Sequence, residues 1–290
     1  MMEFGQHLLN GISLACIYAL LASGLTLILG VLGVPNFAHG HFYMIGAYIT
    51  FYLVVSLFVN YWLSLVLAVV AMGIIGFLTE RIIFHPMQKA PEENLFVAAV
   101  GLLMVLEGVA LYFFGAHIRW LETPYTRKVL AFLGLTLQSQ RLIIIAGTII
   151  VMAALQLFVK KTTIGATLEA TAQNREGAML CGIKVSWVAA LAFAIGTSLA
   201  GVAGALVGPS VQIMPTMGMG PLLIALSTVI FGGLGSILGA MIGALVMGLV
   251  ESLGSGYVSA TYSWVFIFGI MILVLLFRPT GLLGRTSWRP

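Results

Sequence analysis

The 290 residues specify an all-α, polytopic membrane protein with about eight or nine transmembrane helices, interrupted segments and an internal pseudo-repeat. Three observations lead there. Hydrophobic residues make up 61% of the chain and charged residues 8%, with a mean hydropathy of +1.11; soluble domains carry about 25% charged residues. No Asp, Glu, Lys or Arg occurs from Phe4 to Thr79, nor from Val185 to Val250. At roughly 20 residues per crossing, each tract holds about three helices. The apolar runs are also continuous rather than alternating, which favours helices over barrel strands.

Taken in order, the runs predict helices at 7–31, 41–58, 62–84, 95–115, 141–159, 187–208, 221–231 with 236–250, and 263–277. The first is too long, and its leading residues too poor in cations, for a cleavable signal peptide. The turn after 221–231 is Gly232-Gly233-Leu234-Gly235-Ser236, which makes 221–231 and 236–250 two passes. Loop cations set the orientation. Arg81, Lys89, Lys160, Lys161, Arg175, Lys184, Arg278, Arg285 and Arg289 fall on one side; Arg119, Arg127, Lys128 and Arg141 fall on the other. The richer side is cytoplasmic, so the N-terminus is external and the C-terminus internal. Trp62, Trp120 and Trp264 then lie near outer helix ends, where indoles favour the interface.

Several functions are excluded early. The net charge of +4 comes from topology-setting loop cations, with no aromatic-interleaved basic patch for nucleic acid. Cys16 and Cys181 lie in unlike surroundings, so neither a disulfide nor a metal site is expected. No acid pair, Ser/His/Asp set or metal cluster marks a catalytic centre, and no G-x4-G-K-[ST] loop is present for ATP.

Two interruptions mark the pseudo-repeat. Asn36, Phe37, His39 and Gly40 follow Pro35 in the first charge-free tract; Met217, Gly218 and Gly220 follow Pro215 in the second. Paired breaks of this kind point to a translocation site, because exposed backbone at membrane depth persists only in protein or in a water-filled cavity. The helix after each break also aims its positive dipole end at the gap. Asn36 and His39 either line a pathway for a small polar solute or cap the helix near Gly40. His39 and His41, two apart, point to different helix faces and are not expected to share a metal. Glu107 is an acid well inside the crossing at 95–115, either functional or an interhelical contact. Glu251 is expected at a helix end, in reach of water.

The segment 160–186 is the longest polar insertion on the inner side. Its residues 165–182 predict one amphipathic helix, with Leu168, Ala172, Arg175 and Met179 on one face, Glu169, Gln173 and Glu176 around the other, and Gly182 as a stop. That apolar face, built largely of alanine, suits a protein groove better than lipid.

Three motifs together, NFAHG, EATAQNREGAMLCGI and GGLGSILGAMIGALVMGLVE, resemble the permease subunits of branched-chain amino acid ABC importers, in particular the smaller of their two permeases. The resemblance runs from about Asn10 to Gly281. It implies a single permease domain over 1–290, a second homologous permease, two ATP-binding subunits that use the ATP, and a periplasmic or extracytoplasmic solute-binding protein. No cofactor is implied for this chain. The segment 160–186 is similar to the EAA-type loop that docks on the ATPase, with Gly165, Glu169, Ala170, Arg175 and Gly182 as coupling residues, although the usual EAA-x3-G spacing is not kept. Leu, Ile and Val are the implied solutes in a bacterial cytoplasmic membrane. Other amino acids, urea, short amides or carboxylates stay open as cargo, and an ion-coupled secondary transporter stays open as the rival class.

Overall fold

A computed structural model describes residues 2–88, 90–132 and 135–284. Lys89, Arg285 and Arg289, counted above among the inner cations, lie outside the described residues. The order is α1 Met2–Leu32, α2 His39–Val55, α3 Tyr61–Thr79, α4 Glu92–Phe114, β1 Val129–Phe132, β2 Leu135–Gln138, α5 Ser139–Lys161, α6 Thr163–Gln173, α7 Arg175–Leu180, α8 Val185–Val207, α9 Met219–Gly232, α10 Ile237–Tyr257 and α11 Ser263–Phe277. α3 continues through a π-helical turn, Glu80–Phe84, and a 3-10 turn, His85–Met87.

Among the described residues, seven helices are long and apolar enough to cross a membrane: α1, α3, α4, α5, α8, α10 and α11. α2 has 17 residues and α9 has 14. At 1.5 Å per residue they reach about 26 and 21 Å, short of a hydrocarbon core about 30 Å thick. These two short helices are the ones that follow the interruptions.

α1 and α8 form the centre. Over their most apolar windows 83% and 78% of residues are buried, against 6% in the last span. Lipid is as apolar as leucine, so helices in a bilayer associate through close backbone approach and interhelical hydrogen bonds. The chain supplies both. Gly24 of α1 and Gly196 of α8 bring their backbones into contact, leaving no room for a methyl group. On α8, the Thr197 hydroxyl donates to the Met72 carbonyl of α3 at 3.0 Å, and the Ser198 hydroxyl to that of Val69 at 3.1 Å.

The expected pseudo-repeat is visible in the packing. α3 lies along α8 as α10 lies along α1, and α2 lies along α8 as α9 lies along α1. Residues in equivalent places meet each other: Gly24 with Gly196, and Gly40 with Gly218. Equivalent residues touch only where a two-fold relation passes between them. The halves are inverted. The start of α1 is tied to β2 and to α10's second half, by Gln6 to Thr136 at 2.8 Å and Ser252 to His7 at 2.7 Å. The far end of α1 meets α6, where Gly30 packs on Ala172 just ahead of α8.

Local chemistry explains several element ends. Asn60 caps α3, its side-chain oxygen accepting from Trp62 N–H at 2.9 Å. Ser236 caps α10 through Gly239 N–H at 3.0 Å, after a turn in which Gly233 takes φ +105°. The α9–α10 turn therefore joins two helices as expected, but of the two only α10 is long enough to be a full pass. Three expectations are corrected. The loop at 116–140 carries a β-hairpin, with Val129 opposite Gln138 and Phe132 opposite Leu135. α10 runs to Tyr257 rather than 250, and Glu251 is no water-seeking terminus: it lies within the helix and accepts the Tyr18 hydroxyl of α1. The inner segment is two helices rather than one, because Asn174 leaves helical geometry at φ −155° and caps α7 through Gly177 N–H at 2.8 Å.

Candidate translocation and coupling site

Each interruption ends one helix with a conformation that cannot continue it. After α1, Gly33 sits at φ +80° and Pro35 removes an N–H. After α8 come a 3-10 turn at Gly208–Ser210 and an extended stretch; Ile213 there exchanges backbone hydrogen bonds with Arg119 of the outer loop at 2.9 and 3.0 Å. The new helices, α2 and α9, then start face to face. A methyl group on Gly40 would enter the carbonyl oxygen of Gly218, and one on Gly218 the carbonyl oxygen of Gly40. Two helix N-termini, separated by 178 positions in sequence, thus converge inside the bundle, each with a positive dipole end.

The polar residues of the first break are buried. The Asn36 side-chain oxygen accepts from Ala38 N–H at 3.0 Å, and its own carbonyl accepts from His39 N–H at 3.1 Å. It therefore shapes the turn one step ahead of α2, whose N-cap position is Ala38. His39 Nε2 lies 3.1 Å from the Leu21 carbonyl of α1. Phe37 makes an edge-to-face contact with Phe96 of α4, centroids 4.9 Å apart. In the second break Pro215 and Gly218 are buried and Met217 is half-buried, its N–H donated to Met214 O at 3.1 Å.

Glu107 has a partner across helices. Its Oε2 is 3.3 Å from Nε2 of His41, which follows Gly40 directly. His41 is fully buried, whereas the Glu107 side chain is 38% exposed. His41 is the functional candidate that sequence spacing does not reveal, since its partner is 66 residues away. A carboxylate facing hydrocarbon at mid-helix costs about 2.5–3.5 kcal/mol, so such groups face protein or water. The α2–α4 face beside the break is therefore a face for polar contact, not a lipid face.

The candidate coupling residues divide between α6 and the segment of α7 that follows it. Gly165, on α6, is buried against the last turn of α5, where a side chain would strike the carbonyls of Phe158 and Val159; its N–H is held by Thr162 Oγ1 at 2.9 Å. Leu168 fixes α6 beneath the bundle in a cluster with Val31, Val188, Ala189 and Ala192. Glu169 is exposed and within 3.4 Å of the Gln173 amide; Ala170 is half-buried. On the second helix, Arg175 is half-buried and Gly182 ends the motif at φ +80°. Ile164, Met179 and Leu180 stand exposed on this inner surface. Between α7, the start of α8 and the end of α3 lies a cavity of about 670 Å³, lined by Arg81, Arg175 and Lys184 among others. Arg81 lies over the rings of Phe77 and Trp187, at 5.6 and 5.5 Å.

Comparison with known proteins is consistent along the whole chain. The family described as "Branched-chain amino acid transport system / permease component" matches residues 7–276. The high-affinity branched-chain amino acid transport system permease protein LivH of Escherichia coli (strain K12) is 33% identical over 295 residues, 97% of this chain and 96% of that protein. BraD of Pseudomonas aeruginosa, with the same description, is 33% identical over 294 residues, 97% and 95% of the two chains. The permease protein LivM of the same Escherichia coli strain is 24% identical over 301 residues, 94% of this chain and 69% of that protein. No solved structure matches.

Proposed function

The chain belongs to the family of branched-chain amino acid transport system permease components, and from that premise we propose that it forms half of an ATP-driven pathway for Leu, Ile or Val across a cytoplasmic membrane. The observation that carries this reading is the meeting of α2 and α9 at Gly40 and Gly218. It joins the two inverted halves at one point, at the ends of two helices too short to span. Tilting one half against the other would open the space around that point to either side in turn. Asn36, Phe37, His39, Gly40, Pro215, Met217 and Gly218 would border this pathway. In the structure described, Asn36 and His39 are buried and Gly40 is closed on Gly218, which corresponds to a shut state under this proposal.

The other half is a second, related permease. One Escherichia coli strain has two proteins similar to this chain, LivH and LivM, both named for the same transport system. Energy would come from two ATP-binding subunits docked on 160–186, and selectivity from an extracytoplasmic solute-binding protein. The whole of 1–290 acts as one permease domain in this scheme.

Leucine uptake into vesicles holding the full assembly tests it. Uptake should cease when ATP is removed with ion gradients kept. Persistence of uptake on gradients alone would instead favour an ion-coupled carrier working through Glu107 and His41. The solute retained by the partner binding protein separates branched-chain amino acids from urea, short amides or carboxylates.

A further inference from the structure

A second polar chamber lies at the opposite end of α1 from the coupling helices, on the external side. It has a volume of about 450 Å³ and is walled by α1, α5 and α10. Small-ligand sites occupy roughly 300–1,000 Å³. Its lining runs from His7 to Ile17 on α1, a depth of about 15 Å at 1.5 Å per residue. Next along α1, after Ile17, the Tyr18 hydroxyl donates to Glu251 and ties α1 to α10.

The lining has three kinds of chemistry in one place. Arg141 enters from the first turn of α5 and donates to the Asn10 side-chain oxygen. Among the described residues no carboxylate lies within ion-pairing distance of it, although a guanidinium has five donors in a fork suited to a carboxylate. Ser13, Ser252 and Ser255 each donate their hydroxyl proton to a backbone carbonyl, of Leu9, His7 and Ser252 respectively. Their oxygens therefore face the chamber as acceptors, the role an ammonium group needs. Leu14, Ile17, Ile144 and Val207 supply an aliphatic wall.

We propose that this chamber is an external binding site for an aliphatic amino acid zwitterion, with Arg141 taking the carboxylate, the serine hydroxyls the ammonium, and the aliphatic wall the side chain. It rests on the importer reading above and adds to it a fixed charge that neither charge-free tract provides. The chamber lies outside the Gly40–Gly218 contact, so it would receive solute before the breaks open.

Ser255→Cys, in an assembled importer whose Cys16 and Cys181 are changed to Ser, reports occupancy through its rate of labelling by a membrane-impermeant maleimide. Leucine and isovalerate should slow labelling; isopentylamine, which lacks the carboxylate, should not. Arg141→Gln should weaken protection by about tenfold or more in ligand concentration, the loss of a hydrogen bond to a charged group, and Arg141→Lys should restore part of it. Equal labelling rates without ligand report that each variant keeps its chamber. No protection by leucine, or full protection in Arg141→Gln, overturns the site. ATP-driven uptake in the same vesicles separates the two readings. Leucine uptake without protection rejects the chamber alone, whereas no uptake of Leu, Ile or Val rejects the transport reading itself.

Discussion

At the scale of single residues, the contact between His41 and Glu107 is the sharpest test of how this chain moves solute. The imidazole is buried and the carboxylate is half-open at membrane depth, 3.3 Å apart. Were the protein proton-coupled, this pair would be the place for proton exchange; in an ATP-driven conduit the pair only joins α2 to α4. Glu107→Gln keeps a hydrogen-bonding partner for His41 and removes the proton site. ATP-driven uptake in vesicles should then stay near the unmodified rate, and a complete loss with normal assembly would transfer the case to ion coupling. Glu107→Leu leaves the buried imidazole nitrogen unpaired, at a cost of about 1–3 kcal/mol, and should lower the unfolding midpoint of the purified complex. Glu107 was legible in the sequence because it is an acid in the middle of an apolar run. His41 was not, because pairing between residues 66 positions apart has no local signature. The role of Arg141 was equally hidden: at the start of the predicted helix 141–159 it counts only as a cation at the loop's edge, and nothing local shows that its side chain donates to Asn10, 131 positions away.

At the scale of elements, hydropathy placed most helices within a few residues, since lipid demands continuous apolar helix whatever the neighbours are. Ends set by local hydrogen bonds were less visible. Asn174 divides the inner segment because its side chain caps α7, and N-R-E-G carries that preference only weakly against a run of helix-forming alanines. Asn174→Ala should cost about 1 kcal/mol of cap and favour a single helix through α6 and α7. The expected readout is weaker binding of the ATP-binding subunits in a pull-down, with the permease still inserted. The breaks follow the same logic from the other direction. Their Gly and Pro residues announce an interruption, but nothing local says that Gly40 and Gly218 will be each other's neighbours. Gly40→Val would force apart two backbones in contact. Overpacking of this kind typically costs about 1–3 kcal/mol, and the same change at an exposed glycine, Gly101 of α4, should be nearly neutral since nothing lies near its missing side chain. Thermal unfolding of the two variants in detergent compares them directly; equal midpoints would mean that the contact does not hold the halves together.

At the scale of the whole molecule, the proposed ATP-driven scheme requires a grip on the cytoplasmic side, and exposed apolar groups show where one would lie. Leu180 is 89% exposed and Met179 52%, on a six-residue helix bordered by Arg175 and Lys184. Two bulky apolar side chains next to a cation-lined cavity of about 670 Å³ are a poor surface to leave in water. Either an apolar pocket on an ATP-binding subunit receives them or the bilayer interface does. These alternatives separate cleanly, because an exposed side chain contributes little to the fold of the isolated permease. Leu180→Asp should therefore leave insertion and thermal unfolding of the permease unchanged. If Leu180 is an anchor for the ATPase, its loss should weaken subunit binding by about 2 kcal/mol, as buried interface anchors do, or roughly thirtyfold in dissociation constant. Permease-stimulated ATP hydrolysis should fall with it. If α7 instead rests on lipid, binding and hydrolysis would keep their values and the variant would differ only in how its inner surface associates with membranes. The movement joining the inner helices to the Gly40–Gly218 contact would then have to enter through α6, which Leu168 and Gly165 fasten to the bundle.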